Sequence, residues 1–409
     1  MAVTGTITTK FVDEKGVDLG RQLVEKDYLI SVYPNLVPQL KSAGLFVWGN
    51  NFDGQLGDNT ITHRSYPIQT IAGGTNWSSV AGGGGHTAAI KTDGTLWLWG
   101  RNYNGQLGDN TTVYKSSPFQ VVGFATNWSS VSCGGSFTAA IKTDGTLWNW
   151  GRNNNGQLGH NTTTHRSSPV QTIAGGTNWN SVACGGGHTA AIKTDGTLWL
   201  WGYNYQGQLG ENTRTDRSSP IQTIAGGTNW SKVACGGAHT AAIKTDGTIW
   251  VWGKNSYYGY GGGQVGDNTT VGKSSPVQTI AGGTNWIFVA CGSDHTAAIK
   301  TDGTLWLWGG GNYGTSGELG DNTVINKSSP VQTIAGGTNW SKVACGYGTT
   351  AAIKSDGTLW TLGINSYGAM GDNTVINKSS PVQTIVAGNN WKQVACGKLF
   401  TAAIRDANY

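Results

Sequence analysis

Charged residues are scarce in this chain. Asp, Glu, Lys and Arg together make up 12% of the 409 residues, and the net charge is only +5. The charged share is about half of that in an average soluble protein. A positive charge this small, spread over this length, gives no reason to expect a nucleic-acid partner, and we predict none.

Long apolar runs are also missing. No stretch approaches the roughly 18 apolar residues of a membrane-spanning helix, so we predict no membrane insertion. The first residues, Met1 to Lys10, contain no apolar core of signal-peptide length. We therefore expect synthesis in the cytoplasm.

Cysteine occurs six times, always at one repeat position: Cys133, Cys184, Cys235, Cys291, Cys345 and Cys396. Three of these precede a histidine by four residues, at Cys184/His188, Cys235/His239 and Cys291/His295. Phenylalanine or threonine fills the histidine slot after the other three cysteines, which argues against a metal site repeated in every copy. The pattern predicts free thiols on a crowded strand, with no metal and no cofactor.

Glycine and tryptophan are abundant, with 65 and 19 copies, and both belong to a repeat. The motif is Leu-Trp-x-Trp-Gly, followed by Gly-Gln-Leu-Gly-Asp-Asn-Thr. Its second tryptophan recurs every 51 to 56 residues, at Trp48, Trp99, Trp150, Trp201, Trp252 and Trp308, with Leu362 in the seventh slot. Units of this size cannot bury a core alone and must stack on one another.

Each copy contains four strand-like runs. In one copy they are Leu147–Trp150, Val170–Ile173, Trp179–Cys184 and His188–Ile192. All are short, rich in β-branched, small or aromatic residues, and separated by Gly, Asn, Pro and Asp. Seven copies of four strands predict an all-β fold, a seven-bladed β-propeller of four-stranded blades.

Residue size predicts the order of strands within a blade. The small residues of Val-Ala-Cys and of His-Thr-Ala-Ala-Ile fit the first and second strands, near the crowded axis. Leu-Trp-x-Trp fits the wider third position, between blades. Val-Gln-Thr-Ile, which follows Ser-Ser-Pro, fits the outer edge, where proline is tolerated.

The chain ends predict how the ring closes. An Asp-Gly turn joins the second run of six copies to the next Leu-Trp run, a strong hairpin signal. It is missing only between Phe400–Ile404 and Leu45–Trp48, where the chain stops and starts. We predict that residues 45–409 form the propeller, closed by a composite blade from both termini. Residues 1–44 form a short N-terminal arm.

The repeat resembles the regulator-of-chromosome-condensation repeat. The matching segments are Gly100–Gly108, Val182–Ile192 and Asp195–Gly202. The resemblance implies a seven-bladed propeller but no single activity, because similar proteins include a nucleotide-exchange factor for a small GTPase, a plant ultraviolet receptor and a secreted β-lactamase inhibitor. The Gly-Trp-Arg-His-Thr element of the ultraviolet receptor is missing here, and the few charges differ from the charged face of an exchange factor.

The N-terminal arm has its own resemblance. Asp18–Leu29 is similar to N-terminal segments of virion structural proteins from tailed bacteriophages, especially those of cyanobacteria. This implies attachment of residues 1–44 to other virion proteins. The alternative is an arm that packs on the propeller as a plug or strap.

The pattern of charged residues does not predict an active site. Twelve of the 22 acidic residues occupy the Asp-Gly turns and the Gly-Asp-Asn slot, where they favour local turn hydrogen bonds. No nucleophile elbow, phosphate loop or zinc signature is present, so we predict that the protein is not an enzyme. Seven basic residues precede Ser-Ser-Pro or its variant and seven follow Ala-Ala-Ile. They form either two rings that attract an anionic partner or a solvated edge.

The copies differ most just after Trp-Gly, where two of them carry insertions. Tyrosines among Gly, Ser and Asn make an adaptable binding surface, whereas unconstrained drift is the alternative. The predicted ligand-binding residues are Tyr103, Tyr205, Tyr257, Tyr258, Tyr260 and Tyr313.

Two functions follow from these observations. The first is a non-enzymatic structural or adhesion protein of a tailed-phage virion, made in the host cytoplasm, whose propeller assists particle assembly or binds a host surface glycan or protein. The second is a soluble propeller that binds one protein partner as a scaffold or inhibitor. A polysaccharide hydrolase is a third and weaker hypothesis.

Overall fold

The structure is a computed structural model that describes residues 43–256, 262–310, 316–386 and 388–406. Within these ranges the chain forms 28 strands in seven four-stranded antiparallel sheets. The innermost strand of each sheet contacts that of the next, and the last contacts the first, so the sheets form a closed ring. This confirms the predicted all-β, seven-bladed β-propeller.

The strands have nearly the same length in every blade. In chain order they are β1 Gly44–Gly49, β2 Arg64–Gln69, β3 Trp77–Gly82, β4 His86–Lys91, β5 Leu96–Gly100, β6 Lys115–Gln120, β7 Trp128–Cys133, β8 Phe137–Lys142, β9 Leu147–Gly151, β10 Arg166–Gln171, β11 Trp179–Cys184, β12 His188–Lys193, β13 Leu198–Gly202, β14 Arg217–Gln222, β15 Trp230–Cys235, β16 His239–Lys244, β17 Ile249–Gly253, β18 Lys273–Gln278, β19 Trp286–Cys291, β20 His295–Lys300, β21 Leu305–Gly309, β22 Lys327–Gln332, β23 Trp340–Cys345, β24 Thr349–Lys354, β25 Leu359–Gly363, β26 Lys378–Gln383, β27 Trp391–Cys396 and β28 Phe400–Arg405. Blades 1 to 6 take four consecutive strands each, beginning with β3–β6. Blade 7 is composite, in the order β27, β28, β1, β2 from the axis outward.

The order of strands within each blade is the predicted one, but the outer strand begins earlier than predicted. We expected Val170–Ile173, preceded by Ser-Ser-Pro, whereas β10 spans Arg166–Gln171 and contains the proline. The pairing with β9 shifts register between Arg166 and Val170. Pro169 lies within this irregularity at a sheet edge, so its missing N–H leaves no ladder bond unmade.

The composite blade is confirmed. β1 pairs with β28 without interruption, from Gly44 opposite Arg405 to Gly49 opposite Phe400. Phe46 and Trp48 of β1 make edge-to-face contacts with Trp391 of β27, at ring-centroid distances of 5.6 and 6.2 Å. The first and last parts of the propeller therefore share one core.

The disc has two faces. One face, which we call the glycine face, carries the glycine-rich hairpins between first and second strands and the long loops between third and fourth strands. The opposite face, called the turn face, carries the Asp-Gly turns and the connectors between blades. The two faces therefore present different side chains.

The repeated tryptophans hold neighbouring blades together. The third-strand tryptophan of blade 1, Trp99, is fully buried and donates its indole N–H to the Gln55 carbonyl in the loop of blade 7, at 2.8 Å. The same bond joins Trp201 to Gln157 and Trp252 to Gln208. Truncating a buried tryptophan typically costs about 3–5 kcal/mol. These side chains therefore pack the blade interfaces, as the pattern predicted.

The basic residues that follow Ala-Ala-Ile are not a freely solvated ring. In blade 1 the Lys91 ammonium lies 4.9 Å from the ring centre of Trp77 and 4.5 Å from that of Trp97. Blades 2 to 6 repeat this arrangement, and in blade 7 Arg405 lies over Trp391. Cation–π contacts on the turn face thus hold these charges.

Candidate functional site

A buried asparagine shapes six of the seven long loops of the glycine face; the equivalent position of blade 5 lies outside the described residues. In blade 1 the Asn102 amide nitrogen donates to the Thr111 and Val113 carbonyls, both at 3.1 Å, and its oxygen accepts from the Leu107 backbone N–H. Asn51, Asn204 and other loop asparagines make equivalent bonds. A single side chain therefore ties the two ends of the loop together, and the loop has a defined shape.

The Gly-Asp-Asn-Thr segment of each loop makes the local turn predicted for it. The seven asparagines adopt the left-handed conformation with φ near 60°: Asn59, Asn110, Asn161, Asn212, Asn268, Asn322 and Asn373. Asn tolerates this region better than most residues. The preceding carboxylate, for example Asp58, accepts from the backbone N–H and hydroxyl of Thr60. It also pairs with Arg64 at 2.8 Å.

Most of the second basic set is therefore neutralised. Six of its seven members pair with the carboxylate of their own loop: Arg64 with Asp58, Lys115 with Asp109, Arg217 with Glu211, Lys273 with Asp267, Lys327 with Asp321 and Lys378 with Asp372. Two rings of free positive charge, one of the two alternatives drawn from the sequence, are not found, because one basic set is mostly paired with acids and the other lies on tryptophan rings. Arg166, the seventh member of the set that precedes Ser-Ser-Pro, makes no such ion pair among the residues that the structure describes.

Aromatic side chains emerge from equivalent points on three of these loops. Phe52, Tyr103 and Tyr205 each follow the buried asparagine directly and are 62%, 73% and 62% exposed. The two described tyrosines of the predicted set thus occupy the same position in blades 1 and 3, on the glycine face. The other predicted residues, Tyr257, Tyr258, Tyr260 and Tyr313, lie outside the described residues.

The structure adds aromatic residues that were not predicted. The ring centres of Phe52 and His63 of blade 7 lie 4.4 Å apart, and they lie 5.6 and 4.8 Å, respectively, from the ring centre of Tyr367 of blade 6. In blade 3, Tyr203 stacks on Tyr205 at 6.5 Å. The signal in the sequence was an aromatic residue in a variable loop, but the contact between Phe52 and Tyr367 joins residues about 300 positions apart.

At the axis, the first hairpins of neighbouring blades are joined by backbone hydrogen bonds. Gly135 donates to the Gly185 carbonyl at 3.1 Å, and Gly186 donates to Gly236 at 3.0 Å. Similar bonds run from Gly84, Gly237, Ser293 and Lys398 to the next blade. Ser293 and Lys398 show that a side chain is accepted in this slot. The slot one residue earlier is glycine in every blade, and a Cβ on Gly185 would lie 2.5 Å from the Gly236 carbonyl oxygen, so the close approach there needs a bare backbone.

We expect Gly185→Ala to lower the free energy of unfolding by about 1–3 kcal/mol, because the new methyl group displaces the next hairpin. The matched control is Gly187→Ala, two residues later, where blade 4 already has Ala238 and the nearest atom is Tyr203 Cβ at 3.2 Å. Urea denaturation measures both. Equal effects of the two variants would show that the close approach carries no energetic weight.

The hairpins surround an axial cavity of about 210 Å³. All six cysteines line it as free thiols. Burial raises the pKa of Cys184, Cys291 and Cys396 to about 12, so these thiols stay protonated. In the described part of the chain, no group of three or more His, Cys, Asp or Glu is arranged to hold a metal ion. The thiols therefore act as small packing groups.

Four second-strand histidines are buried between blades. The Nε2 of His188 lies 3.0 Å from the Thr240 hydroxyl of blade 4, and that hydroxyl donates to the Gln208 carbonyl. The hydroxyl therefore accepts from Nε2–H. Burial lowers the pKa of His188 to about 3, with a smaller effect from His239. These imidazoles are neutral at physiological pH and serve as structural bridges.

The glycine face therefore offers binding groups on a fixed frame. Its exposed side chains include aromatic rings, amides and hydroxyls, while the acids of the loops are engaged in turns and ion pairs. Across the described ranges, no helix has the length and apolar character needed to cross a bilayer. The arrangement defines a class: a β-propeller with one loop-bearing, aromatic face suited to holding another molecule.

Comparison with known proteins gives the family. Residues 44–403 match the RCC1-like domain, and the chain belongs to this family. It is similar to the ultraviolet-B receptor UVR8 of Arabidopsis thaliana, with 32% identity over 345 residues, 82% of this chain and 76% of the receptor.

Two solved structures share the fold. Human WBSCR16 superposes with a TM-score of 0.78 at 22% identity, covering 90% of this chain and all of that one. Prp20p of Saccharomyces cerevisiae superposes with a TM-score of 0.77 at 20% identity, and the match covers 90% of this chain and 92% of that one. The Prp20p structure is described together with its binding to Gsp1p and histones. At these identities the likeness shows the fold alone.

Proposed function

We propose that this chain is a non-enzymatic propeller that binds a protein partner on its glycine face. The observation that carries the proposal is the placement of Phe52, Tyr103 and Tyr205 at one position of three loops, more than half exposed in each case. The repeated tryptophans are committed to the blade interfaces, so these exposed rings do not serve the core.

The chemistry of the face fits a protein ligand. Aromatic side chains supply a large contact area at a low cost in side-chain entropy and dominate many protein interfaces. The buried asparagines hold the loops that carry them in one shape, so little ordering is needed on binding. Prp20p, a member of the same fold, binds proteins, which supports this class of partner for the present chain.

Catalysis is less well supported than binding. The buried histidines have lowered pKa values and interblade partners, so they are poor proton carriers near neutral pH. Burial likewise raises the pKa of the Cys184 thiol to about 12, against the opposite effect of its hydrogen bonds, and so holds it in the protonated form. An exposed face of rings and amides binds rather than transforms a ligand.

The test compares two triple variants of the full-length protein. In the first, Phe52, Tyr103 and Tyr205 become Ala. In the second, Ile71, Ile173 and Ile224 of the turn face become Ala; these are 54%, 56% and 59% exposed and serve as a matched control. Proteins retained from an extract of the source cells are quantified by mass spectrometry, and the affinity of the enriched partner is then measured with purified components.

We expect the aromatic variant to bind the partner with an affinity at least 100-fold lower than that of the wild type, because each aromatic residue at an interface commonly contributes about 1–2 kcal/mol or more. The turn-face variant should bind like the wild type. Loss of binding only in the turn-face variant would place the partner on the other side of the disc, and equal binding by all three proteins would remove the aromatic residues from the interface.

A carbohydrate is the second candidate ligand. The stacked pair Tyr203 and Tyr205 offers adjacent rings of the kind on which sugars pack. A glycan array with the same two variants separates this from a protein partner. The phage-virion interpretation of residues 1–44 stays a prediction, because residues 1–42 lie outside the described residues.

A further inference from the structure

Blade 2 departs from the charge pattern of the other loops. In six loops the slot before the left-handed asparagine carries Asp or Glu, which pairs with the basic residue six positions later. In the loop of residues 152–165 this slot holds His160, and the basic residue is Arg166. In this loop His160 replaces the acidic residue of the other six loops, whereas the basic residue is kept as Arg166.

Arg166 is consequently left without the partner that its counterparts have. No carboxylate pairs with it anywhere in the described ranges, and its side chain is exposed, whereas the six paired counterparts are half-buried. His160 cannot replace the acid, because burial and then Arg166 lower the pKa of its imidazole. The guanidinium therefore faces solvent with its hydrogen-bond donors free.

A second cation lies at the other end of the same loop. Arg152 is exposed, and its charge contributes, after burial, to the lowered pKa of His165. The segment 152–166 contains no Asp or Glu. Asp216 of blade 3 contacts this loop, but its two oxygens accept from the Asn155 amide at 2.7 Å and from the Asn204 backbone N–H at 2.8 Å.

Aromatic rings flank this loop on both sides. Tyr103 projects from blade 1 and Tyr205, stacked on Tyr203, projects from blade 3. Blade 2 has Asn154 at the equivalent position, so its cations stand between the aromatic side chains of the two neighbouring blades. A chain laid across these three blades would meet tyrosine, arginine and tyrosine in turn.

We propose that Arg152 and Arg166, called here the blade 2 basic patch, bind a carboxylate-rich segment of a protein partner. The inference rests on the proposed function and gives its ligand a chemistry. A guanidinium fork matches a carboxylate with two parallel hydrogen bonds, and this geometry favours Asp and Glu side chains over a diffuse negative charge. The flanking tyrosines add contact area beside the charges.

The sharpest test restores the pattern of the other blades. His160→Asp supplies Arg166 with an internal carboxylate and removes no arginine, and six sibling loops show that an acid is accepted there. The probe is a fluorescent twelve-residue peptide of alternating Glu and Gly, with a Gln and Gly peptide as its neutral control. Binding to the full-length protein is measured by fluorescence anisotropy at 50 and 300 mM salt.

We expect the wild type to bind the Glu peptide and not the Gln peptide, more weakly at the higher salt concentration. His160→Asp and Arg166→Gln should each weaken binding about tenfold or more, as expected when a charge-assisted hydrogen bond is lost. Lys378→Gln is the matched control, because it removes one positive charge from a paired site and should leave binding unchanged. Thermal unfolding of each variant checks the fold.

Equal effects of Arg166→Gln and Lys378→Gln would overturn the proposal, since they would reduce it to a response to net charge. Stronger binding of a polyuronate than of the Glu peptide would overturn the assignment to a protein segment. If the partner is lost from the aromatic variant but kept by His160→Asp, the proposed function stands and this inference fails. The reverse result would leave the basic patch standing without the proposed function.

Discussion

Lowering the pH from 7.5 to 5 is expected to reduce the free energy of unfolding by about 2 kcal/mol for each buried histidine, or about 8 kcal/mol for four. The residues responsible are His86, His188, His239 and His295. Whole-domain stabilities are about 5–15 kcal/mol, so a loss of this size approaches acid unfolding. Urea denaturation at pH 7.5, 6 and 5, followed by tryptophan fluorescence, measures the effect.

The fold loses stability in acid because the pKa values of these histidines are lower in the folded chain than in the unfolded chain. Burial lowers the pKa of His86, His188 and His239 to about 3 and that of His295 to about 4, where Asp294 opposes the shift. In the unfolded chain the value is about 6.5. Between about pH 6.5 and 4 the unfolded chain binds protons that the folded chain excludes, so the stability present above pH 6.5 is lost as the pH falls.

The chain itself offers the matched control. Phe137 and Phe400 occupy the same slot in blades 2 and 7, so His→Phe at the four positions should keep the fold. The threonine partner of each histidine still donates to a loop carbonyl, as Thr189 does beside Phe137. We expect the fourfold variant to lose most of the pH dependence above pH 4.5. An unchanged slope would assign the acid sensitivity to other groups.

Deleting residues 391–409 is expected to abolish cooperative unfolding. The deletion removes β27 and β28, which supply the inner half of blade 7 and pair with β1 over six residues. Leu45, Val47 and Trp48 would lose their packing partners, and β3 would lose its neighbour on one side. We expect the free energy of unfolding to fall by more than the about 3–5 kcal/mol that truncation of a single buried tryptophan typically costs.

Near-ultraviolet circular dichroism and urea denaturation check this expectation. The control is a deletion of residues 1–42, which removes twice as much chain from the other end but no described strand. We expect the control to unfold at the urea concentration of the full-length protein. A truncated protein lacking residues 391–409 that unfolded at the same midpoint would show that the composite blade does not close the ring.

The repeat was enough to predict most of the fold. A two-residue alternation in Leu-Trp-x-Trp, a small-residue run in Val-Ala-Cys and an Asp-Gly turn between them define strands and their order locally. The missing seventh turn predicted the composite blade, because hairpin connection is a local property. The outer strand begins earlier than predicted, because its proline lies within an edge irregularity and not before the strand.

The candidate site was predicted only in part. Tyr103 and Tyr205 could be placed because they occupy the same slot in their copies. Tyr367 was not predicted, because its contact with Phe52 depends on how the loops of blades 6 and 7 approach each other. The pairing of Asp58 with Arg64, which reduces the supposed ring of charge, likewise depends on a loop shape set by the buried Asn51.

Strand type, strand order and the number of blades follow from patterns of hydrogen bonding and residue size within about 50 residues. The sequence alone therefore determines these features. The partner of His188, the position of Lys91 on two tryptophan rings and the exposure of Arg166 arise between segments that meet only after the ring has closed. Whether a charged side chain is paired depends on which residues the tertiary structure places next to it. For this reason the closed disc, and not the repeat, reveals the face on which we expect a partner to bind.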